Sequence, residues 1–254
     1  MSDYIPIKIY SVESTNTFAR NLPNTGKIEN IPILVYTDNQ TNGRGQKGNH
    51  WESEPGKNLT FSLVIYPTWL SPAHQFELSM LVSIAMVNTL VNYVEDADSV
   101  KIKWPNDIYI GDKKIAGILI ENTINSSSIL KSVIGIGINV NQKKFLSDAP
   151  NPISLINITG FEENLSVLLK KFVNNILDII ENYEFDEEPE ELKYLYNNML
   201  WRKNGQLYEW HDLKNNLFFK GKILNVDLDG TLNIEDEEGK VSKFLFKEIA
   251  PANI

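Results

Sequence analysis

Apolar and polar positions alternate along Tyr4–Tyr10 and predict a short strand, while Pro32–Thr37 and Asn58–Tyr66 are continuous apolar runs of the kind that form buried strands. Ser14 and Thr15 stand just before Phe18, Ala19 and Leu22, which predicts a capped helix between the first two strands. From Pro72 to Val94 the residues Phe76, Leu81, Ile84, Ala85, Leu90 and Val91 recur at helical spacing, so this segment is a core helix with Ser71 as its cap. Val100–Trp104, Asp107–Ile110 and Lys114–Asn122 read as strands, the last two joined at Gly111-Asp112. A turn at Ser126–Ser128 leads to a strand at Ser132–Val140, and Glu163–Tyr183 is a second amphipathic helix. The acidic run Glu181–Glu191 reads as a solvated bend before a short helix ending near Leu200.

Beyond Gly205 the rhythm shortens to strands at Gln206–Trp210, Leu217–Asp227, Thr231–Glu235 and Val241–Phe246, separated by Asp229-Gly230 and Glu238-Gly239 turns. The pattern therefore predicts an α+β fold. A mixed β-sheet backed by helices fills residues 1–200, and a small SH3-like β-barrel fills 201–254. Between the second and third strands runs a polar, glycine-rich loop, Asp38–Lys57, of a length usually kept for function.

Composition narrows the chemistry. The 254 residues carry a net charge of −9, so the mean field repels phosphate and any phosphate site must be local. Cysteine is absent, which excludes disulfides, thiolate metal sites and a cysteine nucleophile. The three histidines are too scattered to suggest a metal cluster, and His50 and His211 read as incidental. The N-terminus lacks signal-peptide character and the longest apolar stretch is short of a membrane span, so a cytoplasmic protein is the expectation.

Four segments hold candidate chemistry. Gly43-Arg44-Gly45-Gln46-Lys47-Gly48 has dinucleotide-fingerprint spacing but leads into a strand rather than a helix, which leaves a local phosphate cradle with two cations. Lys103-Trp104-Pro105-Asn106-Asp107 packs a cation, an aromatic, an amide and a carboxylate at a strand end; it is either a metal or substrate site or a self-bonded turn. Lys114 alternates with Ala116, Ile118 and Ile120 and so borders an apolar face, as a transition-state cation or as edge protection. Gly135, Gly137 and Asn139 share a strand face with room for a ligand or for a closely packed neighbour.

In order and spacing these segments resemble the biotin protein ligase family. Glu13-Ser14-Thr15-Asn16, Gln40-Thr41-Asn42-Gly43-Arg44-Gly45 through Trp51, Pro55-Gly56-Lys57-Asn58-Leu59, Lys103–Asp107, Lys114–Leu119 and Gly135–Asn139 carry the likeness, over about residues 4–140. The resemblance implies the family's class II synthetase-like catalytic domain and an ATP-dependent ligase. Biotin is activated with MgATP to biotinyl-5′-AMP and pyrophosphate, then passed to a lysine of a biotin carboxyl carrier domain. It implies Lys114 and Arg44 as catalytic residues, and biotin contacts from Ser14, Thr15, Asn16, Gln40, Gly43, Arg44 and Gly117. ATP and phosphate contacts fall to Arg44, Gly45, Gln46, Lys47, Trp51, Asn58, Asn106, Asp107, Lys114 and Asn139, with Asn106, Asp107 and Asn139 as Mg²⁺ candidates. Gln46 stands where many members carry Arg. The tryptophan expected on adenine has no clear match, so Tyr194 and Tyr196 are the candidates for that wall.

Some members also carry an N-terminal DNA-binding domain. Here the first motif begins at Glu13, so the expectation is an enzyme without a DNA or membrane partner, with a family-type homodimer possible. The rivals are a lipoate–protein ligase, disfavoured by the Gly-Arg-Gly loop, and a non-catalytic biotin-binding module, which would not need Lys114 beside that loop.

Overall fold

The computed structural model describes residues 3–23, 31–46, 49–147, 150–183 and 189–252. Two sheets make up the molecule. The larger has seven strands in the order β1-β2-β3-β7-β6-β5-β4: β1 (Ile5–Val12), β2 (Ile33–Gln40), β3 (Leu59–Ile65), β4 (Val100–Lys103), β5 (Asp107–Ile110), β6 (Lys113–Ile124) and β7 (Ile129–Ile138). Strands β1 and β2 pair in parallel, joined by a crossover that holds α1 (Thr15–Asn21), and every other neighbour pair is antiparallel.

The faces of this sheet divide the labour. Phe61, Leu63, Ile134, Ile136, Ala116, Ile118 and Ile108 turn to one side, where α2 (Gln75–Leu90), α4 (Leu165–Asn182) and α5 (Glu190–Asn198) pack. Each such fully buried side chain contributes roughly 1.5–3 kcal/mol. The opposite face carries α1, with Ala19 against Ile33, Val35, Val64 and Val133, and then opens into a polar floor.

Helix α2 has almost no solvent face, because the sheet, α4 and α5 enclose it. With its flanking turns, Pro72–Tyr93 is long and apolar enough to cross a membrane by length and composition, but two-thirds of its apolar window is buried inside the fold. Ser71 makes no side-chain cap; a 3₁₀ turn at Pro72–His74 precedes the helix, and the buried Glu77 carboxylate in its first turn meets His74 Nδ1 at 2.5 Å. Asn164 caps α4 by accepting from Ser166 N and Val167 N. A short helix, α3 (Leu155–Thr159), stopped by Gly160 in the left-handed region, was not legible in the sequence pattern.

The second sheet is antiparallel, in the order β11-β10-β9-β8-β12: β8 (Tyr208–Asp212), β9 (Leu217–Val226), β10 (Leu232–Asp236), β11 (Val241–Phe244) and β12 (Ile249–Pro251). It has one strand more than the pattern predicts, since β12 is too short to show a period. Its inner face joins the same apolar cluster as α2 and α5, through Val226, Leu232 and Ile234. The acidic bend at 184–188 lies outside the described residues.

Candidate active site

The polar floor lies where α1 meets the sheet. Ser14 is the N-cap of α1, its hydroxyl accepting from Thr17 N. That cap turns the next two side chains inward. Thr15 N and Oγ1 both donate to Gln40 Oε1 at 2.9 and 3.3 Å. Ser62 of β3 donates to Asn16 Oδ1 at 2.6 Å and lies 2.9 Å from Thr15 Oγ1. Asn16 Nδ2 in turn reaches Leu119 O and Glu121 Oε2. Burial of this network forces the mutual pairing.

Two side chains pack closely on the glycines of β7. A Cβ on Gly135 would overlap the Asn16 amide, and one on Gly137 would overlap the Trp51 indole. The glycine face therefore admits two closely packed neighbours, and both glycines also border the cleft. Gly43 is a close approach of the same kind, its backbone pressed against Trp51 O and the Gln40 amide.

The glycine-rich loop is not featureless. Trp51 N bonds Gly43 O, Gly45 N bonds Asn49 O, and Arg44 and His50 form an antiparallel bridge, so the segment folds into a narrow strap over the floor. Beyond it, Glu52 accepts from Leu146 N, Ser147 N and Gln142 Nε2. Burial opposes the Glu52 charge, but these bonds outweigh it and hold the carboxyl below its usual range. Lys47, and Gly48 with it, lies outside the described residues.

The cationic end comes from the Lys103–Asp107 turn and β6. Pairing sets Asp107 opposite Lys103 and Gly117, and a bulge between Ile108 and Tyr109 sets Tyr109 opposite Lys114. Directly paired residues share a face. The bulge therefore rotates Lys114 away from Ala116, Ile118 and Ile120 and onto the face of Gly117, which corrects the simple alternation. There Lys114 Nζ meets Asp107 Oδ1 at 2.7 Å and lies 5.7 Å from the Trp51 ring. Asn106 donates to Ile118 O, so it is spent on holding the turn.

Floor, strap and cationic end enclose a cleft of about 490 Å³, whose far wall is the second sheet. Of the expected residues, Ser14, Thr15, Asn16, Gln40, Arg44, Gly45, Gln46, Trp51, Asn106, Asp107, Lys114 and Gly117 line it. Gly43, Asn58 and Asn139 do not. Asn58 accepts from Val140 N and donates to Gln142, and Asn139 donates to Ile153 O, so both brace the chain behind the cleft.

Tyr194 and Tyr196 are also misplaced as an adenine wall. The first is exposed, the second wholly buried with its hydroxyl on Pro105 O. Trp104 and Phe246, in edge contact at 6.2 Å, are aromatic rings that do border the cleft. Sequence reasoning also missed Lys247 and gave no role to Lys103, both on the lining. Lys103 lies over the Tyr109 ring at 5.2 Å, and burial pushes its ammonium pKa down. Its spacing of four from Asp107 across a tight hairpin was the available signal; Lys247 had none. His211 is not idle either, since it stacks on Phe218 and meets Asn216 Oδ1.

Among the described residues no three His, Cys, Asp or Glu side chains gather as a metal cage. Asp107 is the carboxylate that the Mg²⁺ candidates bring to the cleft, which suits an ion that keeps its waters and travels with phosphates. Two buried donors on the lining, Arg44 Nε and Trp51 Nε1, have no hydrogen-bond partner among the described residues. Such donors point to an acceptor supplied by a ligand.

The Salmonella typhimurium protein named Bifunctional ligase/repressor BirA is 31% identical over 174 residues, 68% of this chain and 52% of that one. The Paracoccus denitrificans Biotin--[acetyl-CoA-carboxylase] ligase is 32% identical over 152 residues, 54% of this chain and 60% of that one. The chain thus spans about half to three-fifths of these relatives' lengths. A solved structure of the Aquifex aeolicus biotin protein ligase in complex with biotin and ATP superposes with a TM-score of 0.77 at 24% identity, covering 97% of each chain, which establishes the shared fold. The Biotin/lipoate A/B protein ligase family model matches residues 8–139, just over half of the chain, and every piece of the floor, strap and cationic end lies within that span except the rim supplied by the second sheet: the chain belongs to that family.

Proposed function

We propose that this chain is a biotin–protein ligase, joining biotin to AMP and then to a lysine of a biotin carboxyl carrier domain. One observation carries the reading: hydrogen-bonding groups of Thr15, Asn16 and Gln40 line one part of the cleft and the ammonium groups of Lys103 and Lys114 another, with Arg44 held beside Asn16 through Glu121. That polarity matches a ligand with a urea head and a charged acyl-phosphate tail. The dithiolane of lipoate would find amides and hydroxyls where it needs apolar walls, which favours biotin over the family's other substrate class. The relatives' names support the same reading.

The reaction needs no enzyme nucleophile. A biotin carboxylate oxygen bonds to the α-phosphorus of ATP as the bond to the β-phosphate oxygen breaks, and pyrophosphate leaves. An acceptor lysine amine then attacks the acyl carbon, loses a proton, and the bond to AMP breaks. Negative charge gathers on the α-phosphoryl oxygens in the first step. Lys114, fixed by Asp107, and Arg44, with its unused Nε, are the groups placed to neutralise it. Mg²⁺, where bound with the triphosphate, would sit beside Asp107 and supply further charge neutralisation. The strap and Trp51 keep water from the mixed anhydride.

The test is ATP–pyrophosphate exchange with Mg²⁺, comparing biotin with lipoate. Biotin should drive exchange and lipoate should not, and Lys114→Ala should lower the rate by roughly 10²–10³-fold. Exchange driven by lipoate alone would reassign the substrate, and none with either acid would leave a binding module.

A further inference from the structure

The proposed mechanism uses Arg44 and Asn16 but not the carboxylate that joins them. Glu121 stands on β6, on the face of Gly117 and Leu119, just outside the cleft lining. Its Oε2 accepts from Arg44 Nη2 at 2.9 Å and from Asn16 Nδ2 at 3.0 Å, while Oε1 meets Arg20 Nη1 at 3.4 Å. One oxygen therefore ties the strap to the floor helix. We propose that Glu121 is the positioning residue of this site: it fixes the Arg44 guanidinium at the wall of the cleft.

The geometry explains why a carboxylate stands there. Oε2 serves two donors at once and Oε1 takes a third, whereas an amide would present its own NH₂ to one of them. With Nη2 held by Glu121, Arg44 Nε is buried and has no partner among the described residues, on a side chain that lines the cleft. A guanidinium loses much rotamer freedom when it clamps a phosphate, and a partner that orders it beforehand removes that cost from binding. The strap would then be set before the ligand arrives, and retention of the acyl-adenylate would depend on Glu121 although Glu121 never touches it.

This inference rests on the ligase reading, and the experiment separates the two. Dissociation of biotinyl-5′-AMP formed in situ would be timed in the wild type, Glu121→Ala, Arg44→Ala and the double variant. Glu121→Ala should speed release about tenfold, and in the Arg44→Ala background the same change should alter release by less than about twofold, since Glu121 acts through that side chain. Glu121→Gln, which keeps an acceptor, should fall between wild type and Glu121→Ala, and it serves in the same cycle should the alanine variant fail to fold. Release within twofold of wild type in Glu121→Ala, or an equal factor in both backgrounds, overturns the proposal while leaving the ligase reading intact. A wild-type chain that forms no intermediate overturns both.

Discussion

Gly137 and Trp51 show how much of this site turns on single atoms. The indole lies flat on the glycine backbone, so Gly137→Ala would lift the ring into the cleft without altering any charge. The expected result is a KM for biotin raised about tenfold or more with the fold intact, measured by exchange kinetics and by calorimetric melting; an unchanged KM would show that the ring yields at no cost. Lys103 makes a second prediction at this scale. Burial lowers its pKa, with Lys114 and Arg202 adding repulsion against the help of Asp107. The free site therefore sheds that proton earlier than an ordinary lysine does, and an arriving triphosphate restores it. ATP affinity should fall as pH rises through this lowered pKa, whereas Lys103→Arg, which stays charged, should flatten that fall. Identical pH profiles would refute the role. The linked stability runs the other way, since over the same window the unfolded chain holds the proton longer and stability rises with pH.

Helix α1 is the element on which the floor depends, and it is too short to hold itself in place. Ser14 closes its first turn, and at the other end the buried Lys131 of β7 donates to the carbonyls of Ala19, Arg20 and Leu22 at 3.0, 3.0 and 3.1 Å. A cation at a helix C-terminus suits the macrodipole and satisfies carbonyls left over by the last turn. Lys131→Met keeps the stem but leaves those carbonyls unserved. It should cost about 1–3 kcal/mol in urea unfolding and weaken biotin binding more than ATP binding. Equal effects on both substrates would place Lys131 outside the floor's support. The N-cap of α1 was legible from Ser14-Thr15, but Lys131 was not, because its partner lies more than a hundred residues away.

At the scale of the whole molecule the second sheet completes the cleft and fastens the turn that carries Asp107. Trp104 Nε1 donates to Gly230 O at 2.9 Å, and Phe76 fills the space beside Gly230. Asn197 of α5 both donates to Val226 O and accepts from Val226 N, a buried two-way clasp between the sheets' supporting elements. Asn197→Ala should destabilise the protein by about 1–3 kcal/mol. Because Phe246 and Lys247 stand on the loosened side, it should also raise the KM for ATP while sparing that for biotin. A matched loss for both substrates would count against the second sheet as part of the nucleotide wall.

Local pattern determined a good deal here. Strand and helix identities followed from period, the capping of α1 from Ser14-Thr15, and a long functional loop between β2 and β3 from its polar, glycine-rich composition. The order of motifs pointed to the family, since residue types and their spacing are properties of the chain alone. Register and cross-chain packing belonged to tertiary structure. The β5–β6 bulge reversed the face of Lys114, and an extra residue in one strand leaves no mark that alternation can read. The glycines of β7 could have faced a ligand or a neighbour, and only the tertiary structure shows that they border the cleft and also receive Asn16 and Trp51 from distant segments. Asn58 and Asn139, which the resemblance offered as ligands, stand behind the cleft and hydrogen-bond the chain there, because an amide's role depends on which backbone groups the fold brings within reach.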